Sequence, residues 1–260
     1  MTGTPEDFQS PFGFCGRTVL VTGASSGIGK QTCELLARLG AKLVLSGRNA
    51  ERLLAVQQSL SGEAHAAEVF DLESGSATIP EWMKRIASTC GLLDGEVHCA
   101  GVHVAMPLMA LKPQDFHTAF AMNVVAGAML ARGLRQRAVR GSNPALVFVS
   151  SIAGLVGAPG ASPYAASKGA LTALMRSLAL ELAAEHIRVN CVAPGFVQTE
   201  MTERFGRTLT EQQMARIKED HPLGIGMPAD VANAIAFLLA DSSRWITGST
   251  LVVDGGYTAK

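Results

Sequence analysis

Seven short runs rich in β-branched residues punctuate the chain, at 17–23, 41–47, 68–72, 95–100, 145–150, 188–193 and 249–253. Between them lie longer stretches with helical periodicity, near 27–39, 49–60, 76–89, 113–139, 163–185 and 228–240. A strand, a helix and a second strand in succession pair in parallel, and a parallel sheet is buried only when helices cover both faces. The rhythm therefore predicts a doubly wound α/β fold around a seven-stranded parallel sheet. Residues 1–13 read as a loose N-terminal arm. No repeat, low-complexity tract or Pro/Gly-rich linker divides the remainder of the chain, so 14–260 is expected to form one domain.

The first strand runs straight into Gly23-Ala24-Ser25-Ser26-Gly27-Ile28-Gly29 and then into a helix. Glycines in a strand-to-helix turn let the backbone approach a pyrophosphate. The helix N-terminus attracts its charge, and Ser25 and Ser26 add hydroxyl donors. The spacing, G-x3-G-x-G, meets the general dinucleotide fingerprint only in part, and a turn that merely packs a strand on a helix is the plainer reading. A nucleotide-binding fold places the group that reads the adenosine ribose after the second strand, where an acid favours NAD. Here the chain reads Leu45-Ser46-Gly47-Arg48-Asn49. The Arg48 guanidinium suits a 2′-phosphate, with Ser46 and Asn49 as helpers, so NADP is favoured and NAD stays open because an arginine also stacks on adenine. Asp71, closing the third run, is a candidate acceptor for the adenine amino group or a helix cap.

Tyr164 and Lys168 stand four apart in Ser162-Pro163-Tyr164-Ala165-Ala166-Ser167-Lys168. Ser162 is a good N-cap and Pro163 suits the first helical position, so the two side chains should share a helix face. An ammonium beside a phenol stabilises the phenolate and is expected to lower its pKa.

Composition narrows the partners. Lysine plus arginine matches aspartate plus glutamate, 22 to 22, and aromatic residues make up 5%, which excludes the basic field that nucleic acid binding needs. Cys15, Cys33, Cys90, Cys99 and Cys191 form no C-x-x-C pair, and the six histidines show no ligand spacing, so neither disulfides nor a metal site is expected. The N-terminus lacks a basic region before an apolar stretch, and no charge-free apolar run reaches 18 residues. A cytoplasmic protein with a small-molecule substrate and no membrane or nucleic acid partner is the expectation.

Taken together, Thr22 to Gly29, Tyr164 and Lys168 resemble the short-chain dehydrogenase/reductases, over nearly everything from Arg17 to Tyr257. The family carries Thr-Gly-x3-Gly-x-Gly and Tyr-x3-Lys, with a serine 13 residues before the tyrosine, which falls on Ser151, and an asparagine that matches Asn123. Pro194-Gly195-Phe196-Val197-Gln198-Thr199 looks like its nicotinamide-contacting stretch. The resemblance implies a Rossmann-type single domain and hydride transfer between NADP(H) and a carbonyl or secondary alcohol. It makes Tyr164 the acid or base, Ser151 the carbonyl-oxygen partner, Lys168 the ribose contact and Asn123 the holder of a relay water. It further implies cofactor contacts from Gly23, Ile28, Leu72, Ala100, Gly101, Pro194, Gly195, Val197 and Thr199, a lid over about 200–222, and a homotetramer, or a dimer, with Gly127, Ala128, Ala131, Ala170 and Ala173 at the helix contacts. Enoyl reductases of the family space tyrosine and lysine further apart. Cys99 replaces the family's usual asparagine before Ala100-Gly101, which is expected to touch stability more than chemistry. A non-catalytic NADP-binding sensor or scaffold of the same fold is the alternative.

Overall fold

The computed structural model describes residues 12–62 and 64–259. Seven strands, β1 (Thr18–Thr22), β2 (Lys42–Gly47), β3 (Ala66–Val69), β4 (Leu93–His98), β5 (Arg140–Val149), β6 (Arg188–Pro194) and β7 (Thr250–Val253), form one parallel sheet in the order β3-β2-β1-β4-β5-β6-β7. On one face lie α1 (Gly27–Arg38), α2 (Ala50–Ser59) and α9 (Pro228–Leu239), packed through Cys33, Leu36, Leu53 and Ile235. On the other lie α3 (Ile79–Cys90), α5 (Ala126–Leu134) and α6 (Ser162–Ala183), packed through Trp82, Met83, Leu130, Leu171 and Met175. The expected doubly wound Rossmann-type domain is what forms. Strand order reverses between β1 and β4, and the crevice beyond the carboxyl ends of these strands is where such sheets bind ligands. Of the expected arm, residues 1–11 lie outside the described residues; Phe14 is already buried in the core.

Boundaries differ from expectation for physical reasons. The third strand lies at Ala66–Val69 rather than 68–72; just past its end the Phe70 amide still donates to the Gly47 carbonyl (3.1 Å), and its ring stacks on Trp82 with centroids 4.3 Å apart. The fourth lies at Leu93–His98 rather than 95–100: the Ala100 amide donates to the Thr22 hydroxyl (3.3 Å) instead of to the ladder. Ser162 does not cap its helix. It is the first helical residue, Ala161 precedes it as an uncapped N-cap, and Pro163 follows at the second position, where a missing N–H is equally harmless. The helix expected over 113–139 is broken: α4 (Pro113–Phe120) leads into a π-helical turn, Ala121–Val125, before α5 begins. Gly127 and Ala131 do not face outward as expected for helix contacts between subunits. Both are buried, and a Cβ on Gly127 would lie 3.2 Å from Phe148. Two short helices, α7 (Glu200–Gly206) and α8 (Glu211–Glu219), make up most of the segment expected to act as a lid.

Glu96 stands on the α3/α5/α6 side of β4, in register with Leu20 and Leu146. It is fully buried, neither carboxylate oxygen meets a donor among the described residues, and burial raises its pKa from 4.5 to about 8.

Candidate active site

The turn after β1 is built for close approach. Gly23 has φ +66°, and a Cβ there would sit 2.7 Å from the Ala100 amide nitrogen; a Cβ on Gly29 would sit 2.3 Å from the Gly23 carbonyl oxygen. Only glycine satisfies either position. Helix α1 opens at Ser26 with no side-chain cap, which leaves first-turn N–H groups available to an anion. The groove in front, about 250 Å³, is walled by Ser25 to Gly29, Ser46 to Arg48, Leu72, Ala100, Gly101 and Thr199. A buried hydroxyl in that wall, Ser46 Oγ, has no hydrogen-bond partner among the described residues. Exposed Arg48 makes no side-chain hydrogen bond or ion pair among the described residues, and no acid follows β2. A glycine cradle, an uncapped helix start, an orphaned hydroxyl and an unpaired guanidinium fit a dinucleotide with a phosphate near the β2 end. Asn49, by contrast, spends its side-chain oxygen capping α2 at Arg52 N (2.8 Å). Asp71 turns its carboxylate onto Glu73 N and Ser74 Oγ, and these bonds, Ser74's foremost, hold its pKa down.

A second cavity, about 210 Å³, opens beside the groove and shares Met201 with it. Ser151 and Tyr164 lie in its wall with Gly195, whose own Cβ would meet His221 Nε2 at 2.9 Å. Ser151 ends the strand-to-turn passage after β5, where its Oγ accepts from Ala153 N (3.2 Å), and it shares the cavity wall with the Tyr164 phenol. Lys168 lies one turn along α6. Its Nζ donates to the Val149 carbonyl (2.8 Å) and sits 5.7 Å from the centre of the Tyr164 ring. The shared helix face is therefore real, but the expected pKa effect is not. Burial raises the phenol above its usual 10, with the Ser151 hydroxyl opposing, while burial lowers Lys168 to about 8. In a poorly solvated pocket the cost of forming phenolate exceeds what a lysine aimed at a carbonyl returns. At neutral pH Tyr164 keeps its proton.

Asn123 lies in the π turn, wholly buried. Its Oδ1 accepts from Val102 N (3.0 Å), and its Nδ2 donates to Val102 O (3.1 Å) and Ser167 Oγ (2.8 Å). Its amide pins the Gly101–Val102 loop rather than standing free for a water, and a Cβ on Gly101 would come within 3.0 Å of Asn123 Oδ1 and 3.4 Å of Lys168 Nζ.

Sequence reasoning missed His98. It is buried in β4, with Nδ1 3.0 Å from Thr22 Oγ1 and Nε2 3.3 Å from the Met122 carbonyl. Burial lowers its pKa to about 3, so it is neutral; Nε2–H donates to the carbonyl and Nδ1 accepts the threonine hydroxyl. This tie between β1, β4 and the π turn stands beside Cys99, whose thiol burial pushes to about 12, an inert small side chain rather than a nucleophile. His103, also unremarked in the sequence, lies against the Tyr164 ring. Neither histidine belongs to a spacing pattern; only the fold brings them in.

The lid segment is anchored at both ends. Thr199 caps α7 at Thr202 N (3.2 Å) and lies where a Cβ on Gly27 would touch it at 3.3 Å, so the lid root meets the glycine turn. Val197 turns its side chain into the core, and its carbonyl accepts from the Thr202 hydroxyl (2.5 Å). At the far end, buried His221 accepts from Phe196 N at Nε2 (3.1 Å), with Nδ1 2.6 Å from the Ile217 carbonyl. Across the groove, Arg52 of α2 pairs with Glu200 of α7 (2.5 Å).

No group of three His, Cys, Asp or Glu side chains that could hold a metal, and no helix long and apolar enough to cross a membrane, occurs among the described residues. The enoyl-(acyl carrier protein) reductase family model matches residues 23–258. The 3-oxoacyl-(acyl-carrier-protein) reductase of Rickettsia prowazekii is 37% identical over 242 residues, covering 93% of this chain and 96% of its own. Carbonyl reductase family member 4 of Danio rerio is 38% identical over 241 residues, covering 92% and 97%. Among solved structures, a short-chain type dehydrogenase/reductase from Mycobacterium ulcerans superposes with a TM-score of 0.88 at 29% identity, covering 95% of this chain and 92% of that one.

Proposed function

The chain belongs to the short-chain dehydrogenase/reductase family of oxidoreductases, and from that premise we propose that it reduces the carbonyl of a small molecule at the expense of NADPH. One observation carries the reading. The Tyr164 phenol, in one cavity wall with Ser151 and one helical turn from Lys168, stands where an apolar cavity adjoins a glycine-cradled groove. NADPH in that groove would supply the hydride.

The rest is the work of this chain's own residues. Gly23, Ser25, Ser26, Gly27, Ile28 and Gly29 hold the pyrophosphate, Arg48 with Ser46 holds the 2′-phosphate, and Leu72, Ala100, Gly101, Pro194, Gly195, Val197 and Thr199 line the path to the nicotinamide end. Ser151 Oγ donates to the substrate oxygen and stabilises its growing negative charge. Tyr164 gives that oxygen its proton, and the raised phenol pKa keeps the proton available at neutral pH. Lys168, mostly charged below its pKa of about 8, offsets the phenolate that remains and orients the ribose. Asn123 is a positioning residue that holds the Gly101–Val102 loop against Lys168. A homotetramer is the proposed assembly; exposed Val125 on the π turn, and Leu251 and Val252 on the edge strand β7, offer apolar contact surface.

A panel of carbonyl compounds read by NADPH and NADH absorbance tests the reaction. Turnover with NADPH that falls at least about 10²-fold in Tyr164→Phe supports it. Cofactor binding with no turnover, unchanged by Tyr164→Phe, would instead establish a non-catalytic NADP-binding sensor.

A further inference from the structure

We propose that His103 selects the substrate, and that the preferred substrates are small uncharged ketones carrying a second oxygen, a hydroxyl or another carbonyl, next to the reacting one. This selectivity presupposes the carbonyl reduction proposed for the site.

His103 sits on the loop that leaves β4, two residues past Gly101, on the stretch that Asn123 ties down through Val102. Its ring meets Tyr164 edge-on with centroids 4.5 Å apart, and Phe205 of the lid helix α7 edge-on at 4.8 Å. It lines the substrate cavity together with Ser151 and Tyr164. The ring is half-buried, and neither nitrogen has a hydrogen-bond partner among the described residues. Two aromatic contacts thus fix a polar ring whose donor and acceptor remain for a ligand. Burial, with the Lys168 charge adding to it, holds the imidazole pKa below its usual 6.5, so at neutral pH it offers one N–H and one lone pair but no charge. Its contact with the Tyr164 ring puts it in the same cavity that would hold the carbonyl Tyr164 protonates.

The remaining wall sets the other limits. Ile152, Ala153, Pro159, Phe196 and Ile217 are apolar, Asp220 is the one acidic residue, and no lysine or arginine lines the cavity. Arg204 lines the outer cleft on the cofactor side, which His103 also borders. The wall of this cavity therefore offers a carboxylate or phosphate substrate no lysine or arginine partner. The volume, about 210 Å³, lies below the roughly 300 Å³ lower end of ordinary ligand pockets, which favours a compact molecule.

The test uses the full chain, NADPH and four carbonyls on one carbon skeleton: 2-butanone, acetoin, 2,3-butanedione and 2-oxobutanoate. The native protein should prefer acetoin and 2,3-butanedione to 2-butanone and use 2-oxobutanoate least. His103→Phe keeps both ring contacts and removes the nitrogens. It should lower kcat/KM for acetoin and 2,3-butanedione about tenfold, the worth of one neutral hydrogen bond, chiefly through KM, and lower it much less for 2-butanone. His103→Asn should recover part of the loss. An equal fall for all four in His103→Phe, or 2-oxobutanoate as the best substrate, overturns the assignment while 2-butanone turnover still upholds carbonyl reduction. No turnover of any of the four by the native protein overturns the substrate class, and extension of that silence to the wider carbonyl panel overturns the reduction itself.

Discussion

Glu96 makes the energetics of this fold measurable. Its carboxyl, wholly buried on the α3/α5/α6 side of the sheet with no donor to either oxygen, titrates near 8 rather than at 4.5 because burial disfavours the charge. Between those two values the folded protein keeps a proton that the unfolded chain gives up. Its stabilising share is therefore complete below about pH 4.5 and is lost as pH rises toward 8. At about 1.36 kcal/mol for each pH unit crossed, the wild type should lose about 3 kcal/mol between pH 5 and pH 7.5 relative to Glu96→Gln, which keeps the volume and cannot ionise. Glu96→Leu should be more stable still, since it also removes an unpaired buried polar group worth about 1–3 kcal/mol. Urea unfolding followed by tryptophan fluorescence is a suitable readout, because Trp82 is buried in the same layer whereas Trp245 is already 96% exposed. Glu96 lines neither the groove nor the cavity, so turnover should stay within about twofold. Parallel pH dependence in wild type and Glu96→Gln over that window would show that the carboxyl has found a partner or reaches water, and would refute the argument.

Arg48→Ala should raise KM for NADPH about 10- to 100-fold, as expected for charge-assisted bonds to a 2′-phosphate, and leave NADH almost unchanged; equal weakening of both would remove the assigned role. Gly23→Ala should abolish tight dinucleotide binding and lower the unfolding temperature, since its Cβ would fall 2.7 Å from Ala100 N at φ +66°. Dinucleotide titration and a melting curve check this, and full retention of both would show that the turn yields.

Much of the fold was legible because its signals are local. Hydrophobic runs and their spacing marked all seven strands, and the glycine turn, Tyr164, Lys168 and Ser151 converge as their motifs imply. What escaped depends on partners distant in sequence. No periodicity announces that Ala100 N will leave the ladder for Thr22, or that the Phe70 ring will stack on Trp82. His98 and His103 look like scattered histidines until β1, the π turn and the lid surround them. The direction of the Tyr164 pKa shift is hidden for a similar reason: spacing locates a neighbouring charge but does not reveal how little water either group meets.

The π turn at Ala121–Val125 amounts to an α-helix with one residue too many, a surplus that rotates everything after it by about 100° relative to a plain helix. Deleting a single residue there would regularise the hydrogen bonding and swing Asn123 away from Val102 and Ser167. The same rotation would turn Ala126, Leu130 and Leu134 of α5 away from the core, so the extra residue serves the packing of α5 and the brace behind Lys168 at once.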